Sequence, residues 1–199
     1  MKLEWGYLVG MALQTVVEPR KIAREIQAIS LPRTTLWEVL ILLLVGATFL
    51  AVIDGIILPV DPAMVISPLQ VDPLMMGVAQ GSTTIFLVFA IYWVGRAVGG
   101  TGSFDQALLT VIWAQFVGLI LQLGVVFFDV FAPGFSVLLA ILTVVMNFWI
   151  LSHFIAEMHG FRSAAMVFAG ILVTSVLAIF GVSIVIGIIG LFIPIGTGA

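Results

Sequence analysis

Five stretches of nearly unbroken apolar residues divide the chain, at about 36–58, 74–98, 104–129, 135–156 and 163–190. Each is long enough to cross a bilayer, since a helix needs about 20 residues to span a hydrocarbon core of about 30 Å. Their continuity excludes barrel strands, which alternate apolar and polar residues over about 10 positions. Punctuation between the runs is local and specific. Thr35-Leu36-Trp37-Glu38 reads as a capping box opening the first span, and Pro59 closes it. The stretch Val60 to Asp72 is rich in proline and aspartate and reads as a loop, with Asp72 as N-cap and Pro73 at the first helical position. Gly99-Gly100-Thr101-Gly102 breaks the chain before a second capping box, Ser103-Phe104-Asp105-Gln106. Ala132-Pro133-Gly134 and His159-Gly160-Phe161-Arg162 read as short turns, the latter followed by Ser163 as N-cap. A straight helix over the whole last run to Pro194 would be about 48 Å long. It is therefore expected to tilt, or to end near Gly187 or Gly190.

The segment 1–34 is the only sizeable polar region, and Glu18-Pro19 divides it. Before the division lies a mostly apolar stretch from Leu3 to Val17. After it, Ile22, Ile26 and Ile29 recur at helical spacing, with Arg20, Lys21, Arg24 and Gln27 on other faces. That pattern predicts a basic amphipathic helix on a membrane surface, with Arg20, Lys21, Arg24 and Arg33 as lipid-surface contacts. The expected fold is all-α: a polytopic bundle of five spans (35–199) preceded by an interfacial helix.

Composition agrees. Hydrophobic residues make up 62% of the chain and charged residues 9%, against about 25% charged in soluble domains. The chain has no cysteine, which removes thiolate nucleophiles, disulfides and cysteine metal sites. No cleavable signal is read at the start, where Glu4 follows Lys2 closely and no small-residue cleavage site appears. Lys2, Arg20, Lys21, Arg24 and Arg33 precede span one, Arg96 lies between spans two and three, and Arg162 between four and five. In a five-span topology all of them fall on one side. The positive-inside rule makes that side cytoplasmic, so the expected orientation is N-terminus in, C-terminus out.

Few polar residues interrupt the spans. Asp54 is a candidate intramembrane acid, because ionisable groups within spans are costly. Its place about 6 Å from Pro59 by helical rise favours a hydrated boundary position instead. Span three carries Gln115, Gln122 and Asp129 on one face, and span four Ser136, Ala140, Thr143 and Asn147. These stripes fit either a hydrophilic path or interhelical hydrogen bonds. Packing is preferred, because no charge sits at mid-membrane. His153, Glu157 and His159 hint at a metal, but His159 is expected in the turn, and zinc wants three or four convergent ligands. No catalytic or Walker motif is present, and no cofactor, metal or nucleic-acid partner is implied.

Three segments in this order resemble the Yip1 family of five-span membrane proteins, in its bacterial branch. They are Val17-Glu18-Pro19-Arg20-Lys21-Ile22, Gly99-Gly100-Thr101-Gly102-Ser103-Phe104 and His159-Gly160-Phe161-Arg162-Ser163-Ala164. Eukaryotic members take part in vesicle traffic and bind small GTPases or partner membrane proteins. This chain lacks their long acidic, aromatic N-terminal tail, so GTPase binding is not carried over. Bacterial relatives have no established common activity; with no catalytic constellation in the sequence, the leading expectation is a non-enzymatic scaffold or interaction protein of the inner membrane, with lipid, other membrane proteins or a second copy as partners. A small transporter or channel using the polar stripes, and an accessory subunit of a larger complex, are the alternatives.

Overall fold

The computed structural model describes residues 5–58 and 72–192, so the expected 60–72 loop lies outside the described residues except for Asp72. Among the described residues seven helices follow in order: α1 Trp5–Val17, α2 Pro19–Gln27, α3 Arg33–Ile57, α4 Pro73–Ala97, α5 Phe104–Phe131, α6 Pro133–His159 and α7 Ala164–Phe192. There is no strand among the described residues. Helices α3 to α7 are long and apolar enough to cross a membrane, and the chain is a multi-pass membrane protein. Six of its seven lysines and arginines fall within the described residues, all at the end where α3, α5 and α7 begin, here termed the basic end.

Local chemistry sets most boundaries. Asp72 Oδ1 accepts from the Leu74 and Met75 amides at 2.8 and 3.1 Å. Ser103 and Gln106 complete a reciprocal capping box on α5, and Ser163 Oγ accepts from the Met166 amide. Two expectations fail here. The Thr35 capping box does not form: α3 starts at Arg33 with Pro32 as N-cap and no side-chain cap. The Pro32 carbonyl already accepts from the Leu36 amide at 3.1 Å, so the helix is under way before Thr35. The turn between α5 and α6 is Ala132 alone, because Pro133 begins α6 and Gly134 is helical. Proline's fixed φ starts the new helix at once. The last helix runs through Gly187 and Gly190 to Phe192, about 43 Å by helical rise, and so exceeds the hydrocarbon thickness.

The core lies at the basic end. Every residue of α5 from Ala107 to Ala114 is buried, enclosed by α1, α2, α3, α4 and α6. Toward the other end burial is sparser, and Val137, Leu138, Ile141, Leu142 and Val145 of α6 are all exposed. The most hydrophobic stretch of α5 is 33% buried within the protein, whereas those of α3 and α7 are 6% buried, so most of their surface must face lipid or another chain. Helix α7 packs on α6 alone among the described helices.

The amphipathic helix is where the expected and observed packing differ most. The stripe Ile22, Ala23 and Ile26 is buried, not against a membrane surface but against α5 and α6. In water each such isoleucine would contribute about 1.5–3 kcal/mol on burial. Helix α1 completes this layer. The Trp113 indole donates to Thr15 Oγ1 at 3.0 Å, and the Trp149 indole donates to the Val16 carbonyl at 3.3 Å.

Candidate functional site: a histidine node at the basic end

Two glycine-terminated helices meet at the basic end. Helix α4 ends with Gly99 at φ 91°, and α6 with Gly160 at φ 74°. Both positions lie in the left-handed region that glycine adopts without penalty. Each forms the paired bonds of a Schellman motif. Gly100 N–H reaches the Gly95 carbonyl and Gly99 N–H the Arg96 carbonyl; Phe161 N–H reaches the Ala156 carbonyl and Gly160 N–H the Glu157 carbonyl.

His159, the last residue of α6, locks the two ends together. Its own carbonyl accepts from the Thr101 amide at 3.3 Å. Its imidazole is 2% exposed and is held at both nitrogens. Nδ1 accepts from the Gly102 amide at 3.2 Å, and Nε2 lies 3.0 Å from the Ile91 carbonyl. A carbonyl can only accept and an amide can only donate, so the proton resides on Nε2. Phe161 stacks on the ring at 5.4 Å. Glycines form the walls, and a Cβ at Gly95 or Gly100 would overlap the imidazole. The expectation that His159 falls in the turn is corrected: it is helical, buried and directed inward.

The N-terminal segment arrives at the same place. Arg20 donates to the Arg162 carbonyl at 2.9 Å and, less closely, to the Phe161 carbonyl at 3.5 Å. Gln27 donates to the Phe154 carbonyl, and Arg24 pairs with Glu157 at 3.4 Å. Lys21 pairs instead with Glu18 at 2.8 Å. The Glu18 carboxylate, by hydrogen bond and then by charge, holds the Lys21 ammonium above its ordinary value. Both partners are exposed, so solvent screens the pair. Arg33 pairs with Asp105 at 2.6 Å and lies over the Phe104 ring.

Three segments separated by more than fifty residues each therefore converge on one node: Glu18 to Ile22, Gly99 to Phe104, and His159 to Ala164. A profile of the Yip1 domain matches residues 13–193. The chain belongs to the Yip1 family. No curated protein and no solved structure matches it. The Yip1 match begins within α1 and runs to the end of α7, so it takes in the whole node.

The remaining candidate residues distribute differently. Gln115 donates to Thr84 Oγ1 at 2.9 Å, joining α5 to α4. The Thr48 hydroxyl, 2.9 Å from its own Leu44 carbonyl, lies 3.4 Å from Gln80 Oε1 across α3 and α4. Asn147 donates to the Thr143 carbonyl within α6 and lies against Gly118 of α5. Thr143 bonds the Leu139 carbonyl of its own helix. Gln122 is half-buried. His153, Glu157 and His159 are not brought together: His153 bonds the Trp149 carbonyl, Glu157 pairs with Arg24, and His159 faces the glycines.

Asp54 and Asp129 meet at the end opposite the node. Asp129 is buried and lies beside Asp54, near enough for the two carboxyls to influence each other. One Asp54 oxygen is sealed from solvent without a partner. The acid expected at a hydrated boundary is thus half-buried against a second acid on α5. Sequence reasoning placed both residues near one end but could not pair them, because they are 75 positions apart.

Proposed function

We propose that this Yip1-family chain is a non-enzymatic membrane scaffold that presents its loosely packed spans to other membrane proteins. One observation carries the reading: the three segments on which the family resemblance rests end in contacts that join helices, and His159 is committed at both nitrogens to backbone groups. Such a node fixes the relative positions of α4, α5, α6 and α2, leaving α7 attached through α6 alone. The exposed faces of α6 and α7 then offer helix-packing surfaces. In lipid, association depends on close fit and polar contacts rather than on a hydrophobic drive.

In this reading the chain sits in a bacterial inner membrane, and the arrangement of basic residues favours an orientation with the node in the cytoplasm, the N-terminus inside and the C-terminus outside. The basic end then faces anionic lipid, with Lys21 and Arg24 the most solvent-accessible of the α2 cations. GTPase binding is not part of the proposal.

The transporter reading has the Asp54–Asp129 contact in its favour, but the stripe residues Gln115 and Asn147 are engaged in packing. Proteoliposomes containing the purified chain decide between them. The scaffold reading expects no proton, cation or solute flux above that of empty vesicles. It also expects photo-crosslinkers at exposed Leu177 of α7 to capture a discrete membrane protein in cells. A flux abolished by Asp54→Asn would overturn it in favour of transport.

A further inference from the structure

Helices α4 and α7 do not touch, although both pack on α6. Between them lies an apolar groove of about 350 Å³. Ala90 and Val94 form one wall, Gly170 and Thr174 the other, and Leu151 and Ile155 the floor. It runs along α4 from Phe86 to Val98, about 18 Å by helical rise. That is close to the roughly 15 Å of a single leaflet's hydrocarbon, and the groove starts at the basic end.

Length and lining fit an acyl chain: the slot is apolar along its walls and floor and about as long as one leaflet's hydrocarbon is thick. Charge decides the headgroup. Phe161 lines the groove at its basic end. Arg20 rests on the Phe161 and Arg162 carbonyls, and Arg162 is exposed in the same turn. Neither arginine has a carboxylate partner among the described residues.

We infer that the groove between α4 and α7 binds one acyl chain of an anionic phospholipid, with its phosphate held by Arg20 and Arg162. The site is independent of the scaffold reading: it needs only this chain and a lipid.

The test uses the full-length protein in detergent, incubated with equal amounts of phosphatidylglycerol and phosphatidylcholine of matched chains and examined by native mass spectrometry. The wild type should retain one phosphatidylglycerol in preference to phosphatidylcholine. Arg162→Gln and Arg20→Gln should each reduce that preference by about fivefold, the effect of one cation near an anionic surface. Gly170→Leu should abolish retention of either lipid while keeping Tm, because a Cβ there meets nothing within 4 Å and leucine is the better helix former. If that variant fails to fold, R162Q decides alone, since its side chain is exposed. Equal retention of both lipids by the wild type overturns the inference, as does a folded Gly170→Leu protein that still holds lipid. A wild-type dimer converted to monomer by Gly170→Leu also overturns it, and assigns the groove to a second copy.

Discussion

The histidine node can be tested by substituting the glycine opposite the imidazole. Gly95→Ala places a methyl where the His159 ring lies, so the ring must leave its site. It then loses the bonds to the Gly102 amide and the Ile91 carbonyl, at 3.2 and 3.0 Å. Each buried group left without a partner costs about 1–3 kcal/mol. The two groups together cost about 2–6 kcal/mol, and alanine recovers about 1 kcal/mol over glycine in a helix, so the net loss is about 1–5 kcal/mol. His159→Ala alone loses the same bonds and also leaves a cavity, for a total of about 3 kcal/mol or more. In the double variant the ring is absent, the new methyl enters vacated space, and only the helical gain remains. Gly95→Ala should therefore stabilise the His159→Ala protein by about 1 kcal/mol while destabilising the wild type. The coupling between the two sites is about 2 kcal/mol or more, at the upper end of the range for residues in contact. Unfolding by SDS titration in mixed micelles measures all four proteins. If Gly95→Ala has the same effect in both backgrounds, the imidazole does not occupy the glycine cradle and the node is wrongly described.

Asp54→Asn should raise stability by about 1 kcal/mol, because it replaces two like carboxyls in contact with an amide that can donate to Asp129; a lower unfolding midpoint would argue against their contact. Gln115→Leu should cost about 0.6–1.7 kcal/mol, the range for hydrogen bonds within membranes, and Thr84→Val introduced afterwards should add little, as a double-mutant cycle would show. Asn147→Leu with Gln122→Leu should lower thermal stability modestly without altering any vesicle permeability, whereas removal of a flux from a well-folded double variant would mark a path. Reporter fusions after Arg33 and at Ala199 should report opposite sides of the membrane, and the same side for both would exclude the five-span orientation.

Features set by neighbouring residues were legible in the sequence. Asp72-Pro73 and Ser103 to Gln106 cap their helices as their chemistry predicts, because a cap needs only residues within one turn. The same logic failed at Thr35, where Pro32 had already begun the helix, so that the Glu38 amide Thr35 would have capped lies inside it. The apolar stripe of α2 was visible, but periodicity says which face is apolar and not what covers it. Lipid and α6 are equally good partners for Ile22 and Ile26 at that level, and the observed α2–α6 packing is a long-range fact. His159 illustrates the same limit. Its nearest sequence neighbours suggested a turn or a metal ligand, whereas its partners Ile91 and Gly102 lie 68 and 57 positions away. The clue that was available was the glycine-rich turn at 99–102 on the same side as the turn at 159–162, since so many glycines imply a close approach.

The distribution of polar contacts explains why the bundle closes at one end. Within lipid the apolar side chains gain nothing by leaving one hydrocarbon for another, so helices stay together only where backbones approach closely or polar groups pair. At the basic end both conditions are met. Gly95, Gly100 and Gly102 admit the His159 ring, and Trp113, Thr15, Gln27 and Arg20 tie α1 and α2 to α5 and α6. Toward the other end, α6 presents Val137, Leu138, Ile141 and Leu142 outward. Little besides Gly118, Gly124 and the Asp54–Asp129 contact draws its neighbours in. An isolated chain with so much unpaired helical surface has no intrinsic reason to hold its outer halves in one arrangement. Lipid can accept any of several arrangements, whereas a partner helix with small residues of its own would select one. A protein built in this way couples a tightly bonded node at its basic end to a loosely packed intramembrane surface, which is the arrangement the proposed scaffold role would use.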